Sequence, residues 1–239
     1  MKISVCIATY NGEKYIKEQL ESILKQLSID DEVIISDDSS TDKTLEIIES
    51  FKDKRIKLYK NNNFRNPIFN FENALKYSTG DIIFLSDQDD IWEDSKLEMM
   101  KKYLKYYDLV VSDCSIVDAN LKIIENSFFE LRNSGPGFLK NLYKNTYLGC
   151  CMAFNRKILK IALPFPNNIP MHDIWLGMVG EIFGSTIFIE DKLVKYRRHG
   201  NNASPTSEKS KYSLVKKIKD RYNLLIALLL RKLKGKIKK

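Results

Sequence analysis

The sequence predicts an α/β fold: a mostly parallel sheet covered by helices on both faces, with an amphipathic helix appended at the C-terminus. Three observations lead there. Apolar β-rich runs alternate with helix-periodic segments through the first hundred residues, the pattern of parallel strands joined by crossover helices. Those runs are apolar throughout, as strands buried on both faces are. Hydrophobic residues make up 44% and charged residues 29% of 239, which excludes a disordered or fibrous chain and leaves room for a sizeable core.

The elements follow in chain order. Ile3 to Ala8 is a first strand, ending in the turn-prone Asn11-Gly12. Tyr15, Ile16, Leu20, Ile23, Leu24 and Leu27 then recur at helical spacing. Val33-Ile34-Ile35 is a second strand; it runs into Asp37-Asp38-Ser39-Ser40-Thr41-Asp42, a loop that can also cap the helix holding Leu45, Ile47 and Ile48. Ile56 to Tyr59 reads as a third strand, Pro67 to Tyr77 as a helix, Asp81 to Ser86 as a fourth strand and Leu109 to Val111 as a fifth. Beyond Ser112 the pattern loosens: a Gly135-Pro136-Gly137 turn, the run Leu148 to Phe154, a loop with Pro164, Pro166 and Pro170, a helix from about Asp173 to Phe183 and a strand over Thr186 to Ile189. Asn201 to Ser210 reads as a polar linker, and no internal repeat is present.

Charge is unevenly divided. The net charge is +8, yet Lys209 to Lys239 holds 12 basic residues and one acid, leaving 27 basic against 30 acidic residues in the first 208. A mildly acidic body with a basic tail argues against a nucleic-acid binder. The four cysteines, Cys6, Cys114, Cys150 and Cys151, lack metal-ligand spacing and are expected as free thiols in a reducing cytosol. The N-terminus enters a strand at once, leaving no room for a signal peptide, and the apolar run Leu224 to Leu230 is too short to span a bilayer. The expectation is a cytoplasmic protein, soluble or peripheral on the membrane.

Ligands of parallel α/β sheets bind beyond the carboxyl ends of the strands. Here the polar clusters sit at those ends: Thr9-Tyr10-Asn11, Asp37-Asp38 and Asp87 through Asp90. Three carboxylates within Asp87-Gln88-Asp89-Asp90 repel one another, so a hard cation such as Mg²⁺ or Mn²⁺ is a natural partner; a solvated acidic turn is the alternative. Asp37-Asp38 can accept hydrogen bonds from a base or ribose, or merely cap a helix, and Tyr10 can stack on a base. The chain has no Gly-rich phosphate loop, so a bound diphosphate would need a metal to neutralise it. The two histidines are His172, in His172-Asp173-Ile174-Trp175, and His199, in a loop after the last strand.

These pieces, in this order, resemble the family 2 glycosyltransferases of the GT-A fold (a Rossmann-like sheet), and especially bacterial rhamnosyltransferase-like enzymes of surface polysaccharide synthesis. The resemblance rests on Ser4 to Gly12, Ile35 to Asp42, Ser86 to Trp92, His172 to Trp175 and Tyr196 to Asn202. It implies a glycosyltransferase domain over 1–208, with a nucleotide-binding half (1–113) and an acceptor-binding half (114–208), and leaves the basic tail, 209–239, outside. It also implies a UDP- or dTDP-sugar donor, a saccharide acceptor, Mn²⁺ or Mg²⁺ as cofactor and inversion at the anomeric carbon. By the same resemblance Thr9, Tyr10, Asn11 and Glu13 line the nucleotide pocket, Asp38 reads the base, and Asp87 faces the ribose or donor sugar. Asp89 and His199 hold the metal, and Asp173 is the general base, for which a helix N-cap is the alternative. Asn73 is a donor-side candidate. On the acceptor side Gly149 and His172 are candidates, as are Trp92 and Trp175, which can pack on a sugar face or in the core. The sequence departs from the commoner pattern at Ser39-Ser40, where many members carry Gly, and over Asn61 to Asn73.

In the tail, Leu214, Val215, Ile218, Tyr222, Leu225, Ile226, Leu229 and Leu233 recur at helical spacing, flanked by Lys216, Lys217, Lys219, Arg221, Arg231, Lys232 and Lys234. This predicts a cationic amphipathic helix whose apolar stripe lies on an anionic membrane, suiting a lipid-linked acceptor, or packs on the body or on a second subunit as a homodimer. Two further readings remain open at this level: a nucleotidyltransferase with a similar nucleotide-binding half, and a non-catalytic module that binds membrane or nucleic acid through the tail.

Overall fold

The computed structural model describes residues 1–199 and 213–237, with side chains as far as Leu233. The expected linker over 201–210, the Gly200-Asn201-Asn202 end of the last motif, and the first and last residues of the basic tail lie outside the described residues.

The N-terminal half contains β1 (Ile3–Thr9), α1 (Ile16–Leu24), β2 (Glu32–Asp37), α2 (Thr44–Ser50), β3 (Ile56–Tyr59), α3 (Pro67–Tyr77) and β4 (Ile82–Ser86). Its strands pair in the order β3-β2-β1-β4, all parallel. The second half adds β5 (Ile91–Trp92), α4 (Lys96–Tyr103), β6 (Leu109–Val117), β7 (Ile123–Glu125), α5 (Phe128–Arg132), α6 (Phe138–Tyr143), β8 (Met152–Asn155), α7 (Arg156–Ala162), α8 (His172–Phe183) and β9 (Thr186–Arg197). It extends the same sheet as β4-β8-β6-β9-β5, and here antiparallel pairing enters: β8 against β4 and β6, β5 against β9, β7 against β6. Parallel pairing returns between β6 and β9.

Side-chain alternation along the strands divides the core in two. Val5, Ile7, Val33, Ile35 and Phe84 face α1, α2 and α4 through Ile16, Leu20, Ile23, Ile48 and Met100. Cys6, Ile34, Ile83 and Leu85 face α3, α7 and α8 through Phe71, Leu75, Leu159 and Trp175. Both faces are thus covered, which is why the strands read as unbroken apolar runs. The helix over Pro67 to Tyr77 starts and stops where the sequence places it. Asn66 caps it, its side chain accepting from the N–H of Ile68 at 2.9 Å, and Pro67 occupies the first turn, where its missing N–H costs nothing. All four cysteines are buried and unbridged.

The tail forms α9 (Leu214–Ile237), and it meets the body through a face other than the predicted apolar stripe. Leu224 and Leu228 are buried against the α8 side of the core, while Ile218, Tyr222, Leu229 and Leu233 of the expected stripe are about half exposed or more. The two groups lie roughly 130° apart around the helix. Arg231 completes the docking face: its guanidinium donates to the carbonyl of Leu163 at 2.7 Å and sits over the Trp175 ring. Among the described residues no helix is long and apolar enough to cross a membrane.

Candidate active site

A cleft of about 1830 Å³ opens beyond the carboxyl ends of β1, β2 and β4, walled on the far side by residues of α8, the segment before β8, and the N-terminal half of α9. The loops on the strand side are tied to one another before any ligand is considered. Thr9 donates its hydroxyl to Asp37 at 2.7 Å, and Asp37 also takes the N–H and hydroxyl of Ser40. Gln88 grips Tyr10 twice, accepting from its N–H at 2.9 Å and donating to its carbonyl at 3.1 Å. Gly12 has to be glycine for that grip, since a Cβ there would meet Gln88 Oε1 at 2.5 Å. Ser39 adopts φ of 63°, the left-handed turn that glycine favours, and its hydroxyl bonds to the carbonyl of Asn62. The serine therefore keeps the turn.

Thr9, Tyr10, Asp38, Asp87, Asp89, Gly149, His172 and Asp173 all line the cleft. Tyr10 is exposed, as a stacking platform must be, and Asp38 accepts from the N–H of Phe64 at 2.6 Å. Asn11 and Glu13 do not line it. Asn11 accepts from the N–H of Thr41 at 2.8 Å and Glu13 from that of Lys43 at 3.0 Å, so both hold the first loop to the second. Asn73 is also elsewhere, donating to Ser36 at 2.9 Å; the α3 amide that reaches the cleft is that of Asn70, beside Pro67 and Phe71. Asn70 is buried, donates to the carbonyl of Thr9 at 3.1 Å, and leaves its Oδ1 without a partner. Both tryptophans are core residues and not sugar platforms. Trp92 packs on Phe84 beneath Lys96, and Trp175 is fully buried with its N–H given to Ala162.

The acidic cluster and the last strand meet here. Asp90 accepts the N–H of Arg197 at 2.9 Å, and Arg197, buried at the end of β9, pairs with Glu18 at 2.6 Å and lies over Tyr15. This pins the end of β9 under the Asp87–Asp90 turn. Two residues on, His199 Nε2 stands 2.8 Å from Asp89 Oδ2. The two expected metal ligands, 110 positions apart, are thereby brought side by side. Asp87, Asp90 and Cys150 form a second cluster with ligand atoms within 4.8 Å. Burial, reinforced by the charge of Asp89, raises Asp87 to about 8 and Asp90 well above the usual carboxylate range. Below them the buried Lys96 donates to the carbonyl of Cys150. The donor set of two cleft-lining carboxylates and an imidazole fits a hard divalent cation, whose charge would offset the burial and mutual repulsion that raise Asp87 and Asp90.

Asp173 lies across the cleft in the first turn of α8. Met171 occupies the N-cap position, so Asp173 is not the cap. Its carboxylate accepts from the N–H of Ile174 and, at 3.4 Å, from Asn145. Burial outweighs these bonds and lifts it to about 7. Beside it His172 is buried, stacked on Phe71 at 4.1 Å, and kept neutral because burial lowers it to about 3; neither ring nitrogen has a partner. Gly149 makes room for it, since a Cβ would meet His172 Nε2 at 2.8 Å.

Sequence reasoning missed Gln88 as a clamp, Asn70 as the cleft-facing amide and Lys96 as the buried cation. For Lys96 a signal existed: it occupies the same helical face as Leu97 and Met100, where a solvated lysine does not belong.

The sequence profile described as Glycosyl transferase family 2 matches residues 4–162, which span β1 through α7 and the whole strand side of the cleft. The chain belongs to glycosyltransferase family 2. Among curated relatives, a UDP-Glc:alpha-D-GlcNAc-diphosphoundecaprenol beta-1,3-glucosyltransferase of Escherichia coli, WfgD, is 30% identical over 74% of this chain and 69% of its own. The dTDP-rhamnosyl transferase RfbG of Shigella flexneri is 29% identical over 90% and 80%. Among solved structures, S. aureus TarS 1-349 in complex with UDP superposes with a TM-score of 0.68 at 25% identity. That match covers 83% of this chain and 61% of TarS 1-349, so this chain spans about three fifths of that neighbour's length. The family 2 glycosyltransferase thus has the GT-A architecture its motifs imply. Membership favours glycosyl transfer over nucleotidyl transfer and over a non-catalytic module.

Proposed function

We propose that this family 2 glycosyltransferase is metal-dependent and inverting, and moves a sugar from a UDP- or dTDP-sugar to a lipid-linked saccharide in bacterial cell-surface polysaccharide synthesis, at the cytoplasmic face of the membrane. The observation that carries the reading is that Asp87 and Asp89, on the strand side, and Asp173, on the α8 side, line one cleft. The relatives named above act on a UDP-sugar, a dTDP-sugar and a diphosphoundecaprenol acceptor, and supply the substrate classes.

The N-terminal half, 1–113, binds the donor: Tyr10 offers a face for the base, Asp38 an acceptor for its edge, and Asp87 an acceptor for ribose or sugar hydroxyls. Asp89 and His199 hold Mn²⁺ or Mg²⁺, which supplies charge stabilisation to the leaving diphosphate. The half from 114 to 208 takes the acceptor. Asp173, ionised above about pH 7, accepts the proton from the acceptor hydroxyl as that oxygen attacks the anomeric carbon from the face opposite the leaving group. Its raised basicity makes it a competent base near neutral pH, where an ordinary aspartate is too weak. The neutral His172 and the free Oδ1 of Asn70 offer hydrogen bonds to sugar hydroxyls at either wall.

The direct test is hydrolysis of nucleotide sugars without acceptor, with Mn²⁺ and with chelator. Hydrolysis of one UDP- or dTDP-sugar should require the metal and fall by ~10²-fold or more in Asp89→Ala. Turnover indifferent to both chelator and the substitution would overturn the metal assignment.

A further inference from the structure

We infer that α6 and α9 together form a docking surface for an anionic lipid bilayer, placed at the mouth of the catalytic cleft. α9 is fixed to the body by Leu224, Leu228 and Arg231, so its apolar stripe is not what holds it. That stripe stays exposed instead, with Ile218 and Tyr222 on the cleft side: Val215, Ile218, Tyr222, Leu229 and Leu233 are 77%, 63%, 63%, 53% and 49% exposed. An apolar row of this size on a helix already docked by another face is rare unless something covers it.

A second element continues the surface. On α6, Leu139 and Tyr143 are 76% and 89% exposed. The two helices adjoin: Phe138 shares a small cavity with Leu225 and Leu229, and Tyr143, Ile218 and Tyr222 all line the cleft. Exposed lysines edge the surface on both helices, Lys140 on α6 and Lys219 and Lys232 on α9, while Asp220 is the one acid of the two. Apolar side chains flanked by cations match the acyl boundary and the headgroups of an anionic leaflet. A second copy of the chain fits less well, because a two-fold interface through this face would set one lysine row against the other. The surface itself does not depend on the chemistry in the cleft; its use, delivery of a lipid-linked acceptor to Asp173, rests on the function proposed above.

The test is co-sedimentation of the full chain with phosphatidylcholine vesicles containing or lacking 30% phosphatidylglycerol, at low and high salt. Binding should need the anionic lipid, weaken with salt, and fall about fivefold for each of Lys219→Gln and Lys232→Gln. Leu229→Gln/Leu233→Gln should lose at least tenfold in vesicle affinity while hydrolysis of a soluble donor stays at the wild-type rate, which also shows that the variant is folded. Binding that ignores lipid charge and these substitutions would overturn the inference. So would a dimer in light scattering that the Leu229→Gln/Leu233→Gln pair dissolves, since the face would then belong to a second copy. Vesicle binding without any donor hydrolysis would leave the surface standing and remove the enzymatic reading instead.

Discussion

At the scale of single residues, the cleft is defined by polar groups that the body leaves unsatisfied or misprotonated. Asp173 is the clearest. Its carboxyl titrates near 7 in the folded chain and near 3.8 in a free aspartate. Ionisation is needed for a base, so the rate of transfer should rise with pH and level off above about 7. The same shift has a stability consequence of definite sign. The unfolded chain releases this proton at low pH and the folded chain holds it, so the native state loses stability as pH rises from about 4 to 7 and not beyond. Asp173→Asn removes that penalty. It should cut transfer by ~10²-fold or more, keep nucleotide affinity, and show an unfolding midpoint that gains on wild type between pH 4 and 7. A parallel loss of nucleotide binding, or a midpoint gap independent of pH, would assign Asp173 a structural task. Gly149 and His172 follow the same logic: a glycine backbone lets an uncharged, unpartnered imidazole lie beside Asp173, the proposed base, where the proposed acceptor sugar would complete its hydrogen bonds.

At the scale of elements, α9 shows how far periodicity reaches. Its helical spacing is plain in the sequence, yet two apolar rows are present, one through Leu214, Ile218, Leu225 and Leu229 and one through Leu224 and Leu228. The longer row drew the reading; the shorter one is buried. Neighbouring residues therefore have opposite fates, and a matched pair of substitutions measures this. Leu228→Ala should cost about 2–3 kcal/mol and lower the unfolding midpoint by roughly 5–10 °C. Leu229→Ala, one residue on, should stay within about 0.5 kcal/mol of wild type. Equal costs would mean that α9 sits differently on α8. The choice between the rows is made by α8 and by the carbonyls of Leu163 and Ala162 that take Arg231, the latter 68 and 69 positions away.

At the scale of the whole molecule, the cleft belongs to neither half alone. Strand ends supply Thr9, Asp38, Asp87 and Asp89, and the continuation of the sheet through β8, β6 and β9 carries Gly149, Asp173 and His199 around to face them. A diphosphate nucleotide held across that gap should stabilise the whole fold and not one lobe. With Mn²⁺ and UDP at about 100 times the dissociation constant, linkage contributes ~2.7 kcal/mol, a rise in melting midpoint of roughly 5–10 °C. UDP with chelator should give a much smaller shift. Equal shifts with and without the metal would show that the nucleotide is held by protein groups alone.

Much of this protein is written locally. The strands of the first half, the helix over Pro67 to Tyr77 with its Asn66 cap, and the polar clusters at the strand ends follow from apolar runs, capping residues and turn chemistry, all of which act over a few positions. Asp87 and Asp89 stand out in the sequence as carboxylates crowded at a strand end, whereas Asp173 is singled out only by the resemblance to family 2 motifs. What tertiary structure decided was partnership and burial. Asn11, Glu13 and Asn73 were turned to loop and strand, Trp92 and Trp175 were drawn into the core, and Asn70 was left in the cleft. His199 meets Asp89 just beyond the end of β9, where Arg197 is bonded to Asp90 and the imidazole packs beside Tyr15. A side chain's type and spacing set what it can do; which neighbours it meets depends on contacts between segments a hundred residues apart, and no local pattern encodes those.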